Sequence, residues 1–181
     1  MASTTIQTSR FGPITVDDAG ILSFVSPILG FDELTDYVLL DHADDSPFKW
    51  LQSLQAPELA FVVTNPKFFN IDYEFELPED SCQLLELTQA EDAVVLTIVN
   101  IPADNPKAMT ANLLGPVVVN QSNRKAMQVV LSDVPFSTKT PLLPEESAAS
   151  TTEASSPSAL SEPVTTGSDS NVLPFPSGSG G

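Results

Sequence analysis

Few residues in this chain have the types and spacing for catalysis, and their settings narrow what they can do. His42 is the only histidine and Cys82 the only cysteine. Any nucleophile activated by an imidazole therefore has to use His42. That residue lies in Asp41-His42-Ala43-Asp44-Asp45, an acidic turn with no nucleophile motif beside it. Imidazole and carboxylates are also metal ligands. The turn nevertheless lacks the Asp-x-Asp-x-Asp-Gly spacing of a calcium loop, and one histidine among aspartates makes a poor zinc set. No glycine-rich phosphate loop or dinucleotide fingerprint occurs. Two of the 24 acids could in principle converge for glycoside chemistry, but the chain is small and has few aromatics for sugar stacking. The sequence thus assigns no catalytic residue, no cofactor and no metal. Cys82 reads as a small packing residue.

The chemistry with a clear pattern is electrostatic. Ile71-Asp72-Tyr73-Glu74-Phe75-Glu76-Leu77 alternates apolar and acidic residues without a break. Successive side chains of a strand point to opposite faces, so the spacing predicts a strand with Ile71, Tyr73, Phe75 and Leu77 on one side. Asp72, Glu74 and Glu76 share the other, about 7 Å apart along the strand. Three carboxylates so placed repel one another unless water or a basic partner covers them. The row is either a solvated outer face that discourages edge-to-edge pairing or a docking surface for a basic protein.

Whole-chain charge favours protein partners over nucleic acid. Seven Lys and Arg stand against 24 Asp and Glu, a net charge of -17. Phosphate-backbone binding needs clustered cations, so direct nucleic acid binding is not expected. Steering toward basic proteins is. A lone cysteine excludes an internal disulfide and suits a reducing compartment. Met1 to Arg10 lacks an apolar signal core, and no run approaches the roughly 18 apolar residues of a membrane helix. The expectation is a cytoplasmic protein with no membrane contact, monomeric because its edges are charged.

The elements that must position these residues are short. Residues 4–8 and 13–16 read as strands about a turn at Gly12-Pro13, and Asp17-Asp18-Ala19-Gly20 as a second turn. Further strands are predicted over 21–25, 37–40, 48–54, 59–64, 94–101, 109–114, 116–120 and 126–131. The stretch 48–54 places Phe48, Trp50 and Gln52 on one face. The runs 59–64 and 94–101 are nearly all apolar, as in strands buried on two faces or in a bent barrel wall. Pro78-Glu79-Asp80 opens one short helix, with acids suited to its start. The apolar loop Pro27 to Phe31 either plugs a core with Leu29 and Phe31 or presents them. Asn112, polar within an apolar strand, is either bonded internally or offered to a partner.

Many short strands with regular turns and one helix make this a mainly β protein, a small antiparallel β-barrel-like domain over residues 1–143. Residues 144–181 are rich in Ser, Thr, Pro and Gly and carry five acids and no base. Such a composition cannot offset its ordering entropy and predicts a disordered acidic tail, whose one apolar patch is Val172-Leu173-Pro174-Phe175.

Several segments, in this order, carry a resemblance. They are Arg10-Phe11-Gly12, Gly30-Phe31, Tyr37-Val38-Leu39-Leu40, Ser46 to Ser53 with its Trp50-Leu51-Gln52-Ser53, and Pro57-Glu58-Leu59-Ala60-Phe61. Asp72-Tyr73-Glu74-Phe75, Met109-Thr110-Ala111-Asn112-Leu113-Leu114-Gly115-Pro116 and Arg124-Lys125-Ala126 follow. From about residue 8 to about 142 the chain resembles the bacterial flagellar assembly factor W family (FliW). The resemblance implies a non-enzymatic regulator of β-barrel-like fold with two partners. One is the carbon storage regulator, a small dimeric RNA-binding repressor of flagellin translation; the other is flagellin, which sequesters the factor until it is exported. The alternative is a flagellin-binding chaperone with no translational role. On the first reading Asp72, Glu74 and Glu76 are expected at the contact, with Phe48, Trp50 and Asn112 as further partner-binding candidates.

Overall fold

The computed structural model describes residues 2–144. Met1 and residues 145–181 lie outside it, and with them nearly all of the predicted tail. Eleven strands and one α-helix occur among the described residues. The first two strands, β1 (Ser3–Thr8) and β2 (Gly12–Asp17), form a separate antiparallel hairpin. The next five are β3 (Ile21–Ser26), β4 (Asp36–Asp41), β5 (Phe48–Ser53), β6 (Ala60–Thr64) and β7 (Ala93–Asn100). Helix α1 (Glu79–Leu85) falls between β6 and β7. The last four strands are β8 (Thr110–Ala111), β9 (Val117–Asn120), β10 (Lys125–Gln128) and β11 (Thr140–Pro141).

Strands β3 to β7 pair in sequence order, β9 joins β7, and β10 joins both β9 and β3. Seven strands therefore close a barrel, antiparallel except where β10 runs parallel to β3. Strands β8 and β11 extend the sheet beyond β7. Closure leaves most of the wall without free edges.

Two cores lie on the two sides of that wall. Leu22, Phe24, Tyr37, Leu51, Val63, Leu96, Val117, Val119 and Ala126 fill the interior. On the outside, Leu85 of α1, Tyr73, Val99, Leu113, Val118, Met127, Val129 and Leu142 form the second cluster. Within β9, Val117 and Val119 point in while Val118 points out, as period-two geometry requires. Burial on both faces explains why β6 and β7 read as continuous apolar runs. Of the loop before β4, Phe31 plugs the interior core, edge-to-face on Phe61 at 5.1 Å. Leu29 stays 66% exposed.

The last predicted strands are shorter than expected. Only Thr110 and Ala111 of 109–114 have ladder partners, and β10 ends at Gln128. Asn112 breaks the first: its Oδ1 accepts hydrogen bonds from the Leu114 and Gly115 amides, at 3.1 and 2.9 Å, and turns the chain. Beyond Gln128 the backbone bonds irregularly, Val129 to the Pro116 carbonyl and Leu131 to that of Leu114.

Tyr37 is wholly buried, and its hydroxyl has no hydrogen-bond partner among the described residues. Burial pushes its pKa up to about 12 and raises that of buried Tyr73 as well. Both phenols are thus held neutral by the fold. Their contribution is constant below pH 10, the unfolded value, and is lost as pH rises through the folded values. Stability should stay flat between pH 7 and 9, then fall above pH 10 by up to about 1.4 kcal/mol per pH unit for each tyrosine. Tyr37→Phe should lessen that alkaline fall. At pH 7 it should raise stability by about 1 kcal/mol, because it removes a buried unpaired hydroxyl. Urea midpoints across pH for both proteins would check this.

Candidate functional site

Residues 71–77 keep the predicted alternation but are not a strand. Asp72, Glu74 and Glu76 are exposed, Tyr73 is 7% exposed, and Ile71, Phe75 and Leu77 are partly buried against the outer core. Yet no backbone–backbone hydrogen bond joins 72–77 to any described residue; the Leu77 carbonyl accepts only from the Cys82 thiol, at 4.0 Å. The segment is extended because its side chains dock on the barrel wall, not because a ladder holds it. Period two reports which residues are buried and is silent on who pairs with whom.

Tyr73 fastens it. Its hydroxyl donates to the Leu113 carbonyl at 2.6 Å, and its ring packs on Phe75 at 5.1 Å and Phe136 at 4.7 Å. Both ends of the segment are fixed by defined turns. Upstream, Asn65 caps the 3-10 turn Pro66–Phe69 by accepting from the Lys67 amide. Downstream, Pro78 precedes α1 and its carbonyl accepts from the Ser81 and Cys82 amides. The three carboxylates are thus carried on a strap with fixed ends and a buried middle.

Beneath the strap lies a groove of about 920 Å³, within the size range of ligand clefts. Tyr73, Phe75, Leu77, Leu87, Ala93 and Val95 give it an apolar lining. Glu74 and Glu76 stand on one wall, and Lys67 is its only cation among the described residues. Cys82 also faces it, half-buried, as a free thiol. The place for that cysteine is therefore a groove wall as well as a helix packing position.

The other candidates are placed elsewhere. Phe48 and Trp50 do share the outer face of β5, as predicted. Phe48 packs on Phe69, with ring centroids 5.5 Å apart, and borders the outer core. Trp50 is 4% exposed, covered by Phe11 edge-on at 5.6 Å and by the Arg10 guanidinium at 4.6 Å. The hairpin turn of β1 and β2 is its lid. Contact with a partner there would run through Arg10 and Phe11. Asn112 serves the turn described above. Asn112→Ala should cost about 1 kcal/mol by freeing two amides, with Asn112→Asp retaining most of the stability; denaturant melts would show it.

Sequence reading missed Phe68, 67% exposed and next to the groove residue Lys67. The signal was the pair Phe68-Phe69. A short 3-10 turn cannot bury two adjacent aromatics on one side, and Phe69 takes the core. Elsewhere on the surface Lys125 pairs with Glu86 at 2.7 Å and, with Asn123, holds that carboxyl below its usual range. His42 lies 6.4 Å from Trp50, ring to ring, and no group of three or more potential metal ligands forms among the described residues.

Comparison with known proteins agrees on one family. The family model described as FliW protein matches residues 5–142. The flagellar assembly factor FliW of Leptospira biflexa is 42% identical over 131 residues, covering 72% of this chain and 86% of that protein. The flagellar assembly factor FliW of Bacillus subtilis is 40% identical over 137 residues, covering 76% and 95%. A crystal structure of the flagellar assembly factor FliW superimposes with a TM-score of 0.73 at 33% identity, over 79% of this chain and 99% of that one.

Proposed function

Since the chain belongs to the flagellar assembly factor FliW family, we propose that it works by binding proteins, as a non-enzymatic regulator in the cytoplasm. Its partners on this reading are the carbon storage regulator, whose repression of flagellin translation it relieves, and flagellin, which sequesters it. The observation that supports this best is the strap: three exposed carboxylates held in a row by Tyr73 above an apolar groove. An acidic face suits a basic RNA-binding partner, and complementary charge raises on-rate and selects against wrong partners. Asp72, Glu74 and Glu76 are the proposed contact, with Phe48 and exposed Phe68 as apolar neighbours. Trp50 lies apart under the hairpin turn, and Asn112 shapes the turn that follows Leu113, whose carbonyl holds Tyr73. Among the described residues no helix is long and apolar enough to cross a membrane.

Titration calorimetry of the whole protein against the carbon storage regulator tests the reading, with and without flagellin already bound. Submicromolar binding that flagellin prevents is the expected result. Binding of flagellin alone would favour a chaperone without a translational role.

A further inference from the structure

The groove is bordered by two extended stretches of backbone that lack neighbours. On one side runs 72–77, which makes no backbone–backbone hydrogen bond to any described residue and whose Leu77 carbonyl accepts only from the Cys82 thiol, at 4.0 Å. On the other is the first half of β7. Ala93 to Leu96 pair with β9 on one flank, but β6 joins the opposite flank only from Thr97 onward, where Thr64 pairs with it. Residues 93–95 therefore have an open edge facing the groove they line. Because ladder groups alternate in direction along a strand, part of the backbone there points away from β9 with nothing to bond. Such edges are normally covered or paired.

We propose that this groove receives one extended segment of a basic protein, which adds as a strand along the open edge of β7 beneath residues 72–77. Main-chain hydrogen bonds would supply affinity, and alternate side chains would supply specificity. Those pointing inward meet Tyr73, Phe75, Leu77 and Val95, so they are apolar. Those pointing outward meet Glu74 and Glu76, so they are Lys or Arg. Charge decides against two other occupants. A second copy of this chain, at net charge -17, would oppose carboxylates to carboxylates. Residues 145–181 bring five acids and no base. The inference deepens the proposed function and rests on it, naming how and where the basic regulator is held.

Hydrogen–deuterium exchange of the whole protein, alone and saturated with the carbon storage regulator, is the test. Amides of 73–77 and 93–95 should exchange at least tenfold more slowly in the complex, and alkylation of Cys82 by iodoacetamide should slow at least fivefold. Binding with neither change would overturn the groove and leave the regulator reading standing. No binding by calorimetry would overturn both. Slow exchange at 73–77 in the protein alone, before any partner is added, would assign the groove to the chain's own residues and overturn the proposal.

Discussion

Asp72→Lys combined with Glu74→Lys is expected to weaken binding of the carbon storage regulator by about 100-fold at low salt while the protein stays folded. Opposite charges about 4 Å apart near a protein surface interact by roughly 1 to 4 kcal/mol before screening. Reversing two carboxylates replaces two attractions by two repulsions. A net loss near 3 kcal/mol, or about two decades in Kd, is a moderate figure within that range. Both side chains are exposed and make no hydrogen bond or ion pair among the described residues, so stability should move by no more than about 0.5 kcal/mol. Removing negative charge from so acidic a chain makes a small gain more natural than a loss. The difference between wild type and variant should shrink at 0.5 M salt, because screening then acts within a few ångströms. Calorimetry at two ionic strengths with a thermal melt of each protein decides the matter. Equal affinity at low salt would remove the acidic row from the interface.

The second large effect belongs to the residue that holds the row in place. Tyr73→Ala should destabilise the fold by about 3 to 5 kcal/mol, the usual cost of truncating a buried aromatic. It loses the contacts with Phe75 and Phe136 and leaves the Leu113 carbonyl without its 2.6 Å donor. For a domain of this size such a loss lowers Tm by on the order of 10 to 20 °C. Tyr73→Phe keeps the ring and should cost only about 1 to 2 kcal/mol. The pair separates anchoring from packing. With the strap loosened, regulator affinity should fall in Tyr73→Ala even well below its melting temperature, although the substituted residue is itself buried. If Tyr73→Ala melts early but binds normally, the strap's position is irrelevant to the contact.

Much of this fold can be read from local pattern, and the failures are instructive. Strands β3 to β7 were predicted within two residues because both faces of a closed barrel wall select apolar side chains, an imprint carried by each strand on its own. The alternation of 71–77 was equally plain, and it did mark the buried side. Burial pattern carries no information about backbone pairing, so a strap and a strand look alike until the neighbours are known. Strand β11 has two residues and gains its order from Met109 to Ala111 across the chain, so nothing local betrays it. Of the candidate site, the three acids were legible because they are exposed and periodic. The groove was not, since its walls come from residues 65–67, 73–77, 87–90 and 93–95, and the connection between β6 and β7 brings them together only when it folds back over the barrel wall. The lid over Trp50 comes from a hairpin about forty residues earlier and could not be inferred from the tryptophan's own strand.

The single parallel pairing has a consequence for how this protein is made. Ser23 of β3 lies beside Lys125 of β10, so the barrel closes through two positions separated by most of the domain. Translation at about 5 to 20 residues per second leaves β3 waiting on the order of 5 to 20 s for its neighbour to leave the ribosome. During that interval the flank of β3 awaiting β10 is open, and the interior core lacks Val117, Val119 and Ala126. Contacts so distant in sequence also slow the folding search itself. The nascent chain therefore spends seconds as an open, sticky sheet, and each new molecule acquires a closed barrel only after its last barrel strand has emerged.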